Sequence, residues 1–260
     1  MKIGTWNVNS LKVRLPQVIQ WLEVNQPDVL CLQETKLQDS FFPLTELSAS
    51  GYSSIYVGQK TYNGVALLSK QLGCDVITTI PNFEDDQKRV VAATYGDIRV
   101  VCIYVPNGES VDSEKFQYKL NWLSALNCWL REELAQFPKL VLLGDFNIAP
   151  ADSDVHDPEL WKDQVLCSSL ERDAFQSLLN LGLFDSFRLF EQPGKSYTWW
   201  DYRMLAFRLN KGLRIDHILL SKALTESCES CVIDKTPRKL ERPSDHAPVV
   251  VTLKIGQCFT

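Results

Sequence analysis

The chain has 260 residues, 45% hydrophobic and 23% charged, with a net charge of −5. This is the composition of an ordinary globular protein long enough to bury a substantial core. It excludes a membrane-spanning helix, since no apolar stretch approaches the ~20 residues one needs, and argues against nucleic-acid binding by bulk charge while leaving room for a local basic face.

The N-terminal segment Met1-Lys2-Ile3-Gly4-Thr5-Trp6 lacks the apolar core of a signal peptide and runs straight into a strand-like segment. The eight cysteines are therefore expected in a reducing, cytoplasmic compartment. Cys31 and Cys102 lie inside apolar runs and read as small core residues. Cys228-Glu-Ser-Cys231 has the spacing of a metal or redox pair, but no second pair accompanies it.

In chain order, β-branched and apolar runs predict strands over residues 2–7, 29–33, 52–57, 65–69, 90–95, 99–105, 140–144, 214–220 and 248–254. Apolar residues at helical spacing predict helices over 15–24, 114–134 and 170–181. Strands dominate, and no linker, low-complexity tract or repeat divides the chain. A single α/β domain over 1–260, with helices outside packed sheets, is the expected arrangement.

Polar residues of catalytic type border six of these strands. Asn7 and Asn9 close the first, and Gln33-Glu34 closes the second. The sixth carries Tyr104 near its end with Asn107 after it, and Asp145 and Asn147 follow the seventh. Asp216-His217 lies within the eighth, and Ser244-Asp245-His246 precedes the last. Any one of these could be a turn, because Asn and Asp favour turns. Six together point to a site, since burying an unpartnered acid or amide costs several kcal/mol and open α/β sheets bind ligands at strand ends. Gly144, just before Asp145, permits another group to approach the backbone closely.

Acids and amides without clustered Cys or His suit a hard, oxygen-liking cation such as Mg²⁺ or Mn²⁺. The three histidines, at 156, 217 and 246, do not form a His-rich zinc motif. Neither nucleotide-binding glycine loop is present, nor the G-x-S-x-G of α/β-hydrolases. A hard cation with a His, a Tyr and positioned amides is what phosphoester hydrolysis requires.

Trp6-Asn7-Val8-Asn9, Leu32-Gln33-Glu34-Thr35-Lys36, Gly144-Asp145-Phe146-Asn147, Leu213-Arg214-Ile215-Asp216 and Ser244-Asp245-His246-Ala247-Pro248 occur in this order. Together they resemble exonuclease III and the related apurinic/apyrimidinic endonucleases, within the endonuclease/exonuclease/phosphatase superfamily. The segments at 58–70 and 199–203 are similar to the DNA-repair branch in particular. The resemblance implies a four-layered α/β sandwich with its site at one end of two packed mixed sheets. It implies Glu34 as the principal Mg²⁺ ligand, with Asn7, Asn9 and Asp245 close by. Some relatives carry Asp where this chain has Asn9, which leaves one or two ions open.

By the same resemblance, Asp145 orients or deprotonates water and Asn147 positions it. His246, held by Asp216, contacts phosphate, and Tyr104 and Asn107 bind phosphate oxygens. Trp199 of the Trp199-Trp200 pair, with Leu213 and Ile215, would wall a pocket for a base-less sugar. Lys36, Lys60, Tyr62, Asn63, Arg203, Arg208 and Lys211 could track phosphates. The loops over 149–169 and 203–211 would set the substrate balance, with His156 belonging to the loop.

The expected activity is Mg²⁺-dependent cleavage of double-stranded DNA 5′ to abasic sites, with processing of nicks and blocked 3′ ends, by a monomer that needs no membrane. A dedicated 3′-end exonuclease or phosphatase is the first alternative. A lipid or inositol phosphoesterase would call for a membrane loop or a basic pocket, and a non-catalytic binding module would call for a broken set of acids. The sequence shows neither.

Overall fold

The computed structural model describes residues 1–254, so Cys258 lies outside the described residues. Twelve strands form two six-stranded sheets. In chain order they are β1 (Lys2–Asn7), β2 (Val29–Gln33), β3 (Ser53–Val57), β4 (Val65–Ser69), β5 (Cys74–Ile77) and β6 (Val90–Tyr95), then β7 (Ile98–Tyr104), β8 (Leu140–Asp145), β9 (Leu183–Asp185), β10 (Asp216–Ser221), β11 (Cys228–Ile233) and β12 (Val249–Leu253). The first sheet runs β11-β12-β1-β2-β4-β3 and the second β5-β6-β7-β8-β10-β9. Both are mixed: β1 pairs parallel with β2 and antiparallel with β12, and β7 pairs parallel with β8 and antiparallel with β6.

The two-residue period of the strands builds the layers. Ile3, Val29, Cys31, Val65 and Leu67 from one sheet meet Val100, Cys102, Val141 and Leu143 from the other in a core between the sheets. The alternate residues face outward. On the first sheet Leu30, Leu32 and Ala66 pack under helix α1 (Leu11–Asn25) and the short α2 (Leu44–Ala49). On the second sheet Val101, Ile103 and Leu142 pack under α3 (Glu114–Gln136) and α5 (Ser169–Leu179), with the single turn α4 (Pro158–Trp161) between those two helices in the chain and α6 (Lys222–Thr225) after β10. The result is a four-layered α/β sandwich, as expected.

Capping explains where the helices start. Ser113 accepts from the Phe116 amide at the head of α3, and Ser168 with Glu171 forms a reciprocal capping box on α5. Helix α1 begins at Leu11, four residues before the predicted start, and carries Pro16 inside it. The predicted list also lacked β5, β9 and β11. All three are edge or near-edge strands, short or half-exposed, so they carry little apolar periodicity.

Gly144 answers the close-approach expectation. It has φ +150, and a Cβ there would stand 1.9 Å from the Ile103 carbonyl oxygen of β7. The approaching group is the neighbouring strand.

Candidate active site

Strand register brings the polar residues to one end of the sandwich. Tyr104 on β7, Asp145 on β8 and Asp216 on β10 form a row across the second sheet. Asn7 and Gln33 end β1 and β2 side by side on the first. The sheets are joined here by the Asn7 carboxamide, whose Nδ2 donates to Asp145 Oδ2 at 2.8 Å and to Glu34 Oε1 at 2.9 Å. Asp145 and Asp216 are directly opposed, a pairing that like charges destabilise.

His246 answers that repulsion. Its Nδ1 lies 2.9 Å from Asp216 Oδ2, and because a carboxylate only accepts, Nδ1 carries the proton. The ring leaves Nε2 3.8 Å from Asp145 Oδ2. Burial opposes the charged imidazolium, but the carboxylates of Asp216 and Asp145 outweigh it and hold the His246 pKa above its ordinary value. Burial drives the Asp145 carboxyl upward, with His246 opposing and Asp216 adding to the rise. Burial, together with the Glu34 and Asp145 charges, pushes the Tyr104 hydroxyl well above its ordinary range and keeps it protonated.

Asn147 sits at φ 49; its amide N–H donates to Asp145 Oδ1 at 2.9 Å and its side-chain Nδ2 to the Val105 carbonyl at 3.0 Å. Its Oδ1 faces the solvent-exposed Asn107, whose Nδ2 donates to it at 3.2 Å. Left-handed backbone clusters here: Asn9, Ser10, Glu34 and Lys36 all have positive φ. Such conformations cost roughly 1–2 kcal/mol per residue and persist where surrounding bonds enforce them. The Ser10 and Leu11 amides donate to the Glu34 and Thr35 carbonyls, supplying that enforcement.

The expected metal residues fall into two linked groups. Ligand atoms of Glu34, Asp145 and His246 all lie within 4.8 Å of one another, and Asn7 bridges the first two. Asn9 and Asp245 form a separate pair: Asn9 Nδ2 donates to Asp245 Oδ1 at 2.9 Å, and Trp199 Nε1 donates to Asp245 Oδ2 at 3.0 Å. Lys36 joins the groups, with Nζ 2.7 Å from Glu34 Oε2 and 2.6 Å from Asn9 Oδ1. That ammonium occupies the kind of position a cation would take, and a donor set of carboxylates and amides fits a hard divalent ion.

On the substrate side, Trp199 is half-buried beside Asp245 whereas Trp200 is fully buried with Tyr197, Ala206 and Ala247. Leu213 and Ile215 do not face an open pocket; they are 0% and 1% exposed, sealed with Ala149, Val155 and Leu166 beneath Trp199. Tyr62 is exposed, whereas Asn63 is buried and donates to Gln59 and Gln87. Arg203 is exposed and bonded to its neighbour Asp201. His156 stays in its loop against Gly212 and Trp161. His217 is neutral: Arg214 donates to its Nδ1, its Nε2 donates to the Ile148 carbonyl, and burial with Arg214 pushes its pKa down to about 4. Cys228 and Cys231 are both free thiols.

The sequence reading missed Ser244 as a fastener. Its hydroxyl donates to the Asn7 carbonyl at 2.6 Å and accepts from the His246 amide at 3.2 Å, joining the metal-side strand to the histidine. Its place directly before Asp245-His246 was the available signal.

The model of the Endonuclease/Exonuclease/phosphatase family matches residues 4–246. Exodeoxyribonuclease III of Haemophilus influenzae is 38% identical over 98% of this chain and 100% of that protein. A Neisseria 3′ phosphatase bound to a product DNA hairpin is 51% identical, with a TM-score of 0.96 over 97% of this chain and 99% of that one. An AP endonuclease from Archaeoglobus fulgidus is 39% identical, with a TM-score of 0.95 over 98% of this chain and 100% of that one.

Proposed function

Since the chain belongs to the endonuclease/exonuclease/phosphatase family, we propose that the site described above hydrolyses DNA phosphoesters at abasic sites and damaged 3′ ends. The protein is a DNA-repair nuclease of the exodeoxyribonuclease III type. The observation that carries the assignment of roles is the meeting of Glu34, Asp145 and His246 at the junction of the two sheets.

Glu34 and the Asn7 carboxamide would hold a Mg²⁺ ion, Mn²⁺ being an acceptable substitute, with the Asn9–Asp245 pair beside it as the place for a second. The ion would neutralise charge on the phosphate and polarise its P–O bonds. Asp145 lies where it can take a proton from an attacking water, and its raised pKa brings its basicity closer to what neutral-pH proton transfer needs. His246 presents Nε2 to a phosphate oxygen while Asp216 fixes the ring through Nδ1. Tyr104 and Asn107 offer neutral donors to the non-bridging oxygens, and Asn147, bonded to Asp145 and to the Val105 carbonyl, helps position the water. Lys36, Tyr62 and Arg203 are assigned to the flanking phosphates of a DNA duplex and Trp199 to the sugar, whereas Asn63, expected there too, is buried with its donors spent on Gln59 and Gln87. We place the protein in the cytoplasm, as a monomer. No helix among the described residues is long and apolar enough to cross a membrane, and the described cysteines are unpaired.

A second reading, dedicated 3′-end processing, is favoured by one observation: Leu213 and Ile215 are sealed beneath Trp199, where an extrahelical sugar would need space. A duplex with one tetrahydrofuran abasic analogue, assayed beside a nick bearing a 3′-phosphate, ranks the two activities. Metal-dependent cleavage of neither would sink the DNA reading.

A further inference from the structure

Lys119 is buried in the second turn of α3, with a side chain 0% exposed, and the chemistry assigned above makes no use of it. Its ammonium has three protons and three acceptors: the Asn107 carbonyl at 3.0 Å, the Asn147 carbonyl at 2.6 Å and Glu171 Oε1 at 2.5 Å. Two of those acceptors belong to the two amides that meet at the mouth of the site, Asn107 Nδ2 donating to Asn147 Oδ1. Asn147 is thus gripped from both sides, its N–H by Asp145 and its carbonyl by Lys119, in a left-handed conformation that local backbone preference opposes. Gly108, the residue after Asn107, packs so closely that a Cβ there would stand 3.2 Å from Lys119 Cδ.

The third acceptor leads elsewhere. Glu171 also accepts from the Leu166 amide at 2.9 Å and from the Ser168 amide and hydroxyl at 3.1 and 2.6 Å. Leu166 in turn accepts from the Ala149 amide at 2.7 Å and packs beneath Trp199. The pair Lys119–Glu171 therefore connects the two amides to the loop that underlies the sugar-facing tryptophan.

We propose that Lys119 is a positioning residue for phosphoester hydrolysis, holding the Asn107 and Asn147 side chains in their working geometry through their backbone carbonyls. The proposal rests on the reading of Asn107 as a phosphate donor and of Asn147 as a residue that positions the water. A purely structural ion pair would contribute stability alone, and its removal as a pair would be close to neutral once both charges are gone. A positioning ammonium leaves a defect that restored stability does not repair, since misplacement by about 1 Å can cost ~10²-fold in rate.

The test is Mg²⁺-dependent release of phosphate from a duplex nick bearing a 3′-phosphate, with kcat and KM measured separately and Tm recorded. K119M/E171Q removes both charges, and Lys119→Gln, retaining one neutral donor group, is the second variant should the first fail to fold. The expected result is a kcat lowered roughly 10- to 100-fold in the double variant and less in Lys119→Gln, with KM within about threefold of wild type. Wild-type kcat in either folded variant, at a temperature below its Tm, overturns the proposal. Asn147→Ala separates the two layers: if it leaves kcat unchanged, the reading of the amides fails; if it lowers kcat while the Lys119 variants do not, only the positioning role fails.

Discussion

Two regions of this molecule bury charged residues, and they do so on opposite terms. Behind the site, Arg214 donates to Asp154 at 2.7 Å and to Asp185 at 2.7 Å, Arg188 donates to Asp154, and Lys119 pairs with Glu171. Three cations meet three acids. At the site four acids, Glu34, Asp145, Asp216 and Asp245, gather around Lys36 and the imidazole of His246, with the Arg238 guanidinium near Asp245. The first region is balanced within the protein, each acid facing a cation. Asp154 keeps a lowered pKa because Arg214 outweighs the cost of its burial. The second has an excess of acid, and burial raises the Asp145 pKa. Balanced burial makes a frame, whereas unbalanced burial makes a demand for a positive charge from outside.

Removing one partner from each region separates frame from site most sharply. Asp145→Asn is expected to lower kcat by about 10²–10⁴-fold, leaving DNA binding within a few-fold and, in chelator at pH 7, raising Tm. The sign follows from the raised pKa. The fold disfavours the Asp145 carboxylate, so its charge costs stability once pH rises above the unfolded value of ~3.9. An equal loss of binding and catalysis would refute the role given to Asp145.

Arg214→Met should do the reverse. It strands Asp154 and Asp185 in the interior and is expected to cost about 3–5 kcal/mol of stability, read by urea denaturation, with kcat retained in whatever fraction remains folded.

The pH dependence of stability offers a smaller contrast. Because the Asp154 pKa is depressed, its contribution is present above ~3.9 and is lost as pH falls through the folded value. Asp154→Asn should flatten the acid limb of the stability curve below about pH 4; an unchanged limb would show that Arg214 does not hold Asp154 charged. The smallest expected effect is at Trp199→Phe, which removes the Nε1 donor to Asp245 and part of the ring's packing while keeping an aromatic face. A loss of about 0.5–1.5 kcal/mol in transition-state stabilisation is expected from kcat/KM, and none at all would place Trp199 outside the site.

The contrast also explains what could be seen in the sequence. Strands β1, β2, β4 and β6 were predicted at their observed bounds, because buried strands are unbroken apolar runs. The site acids were visible because each stands at the end of such a run. The frame was not. Lys119 and Glu171 lie in helical segments where a charge ordinarily means a solvated face, and Arg214 opens the predicted strand 214–220 like any border residue, two positions before the observed one. Their burial depends on partners 52 and 60 positions away, and no local pattern carries that information. Trp199 rather than Trp200 was expected at the pocket and is the half-buried one of the two, but the sealing of Leu213 and Ile215 needed the loop over 149–169 in place.

The central claim is that the excess acid around Glu34 is a seat for a divalent cation. Thermal unfolding across a Mg²⁺ titration tests it directly, since an ion bound only by the folded state raises stability by RT ln(1 + [Mg²⁺]/Kd). Wild-type protein should gain Tm progressively with Mg²⁺, and Glu34→Ala should lose that gain over the same range and recover part of it only at higher concentration. An identical Mg²⁺ response in the two proteins would contradict the account.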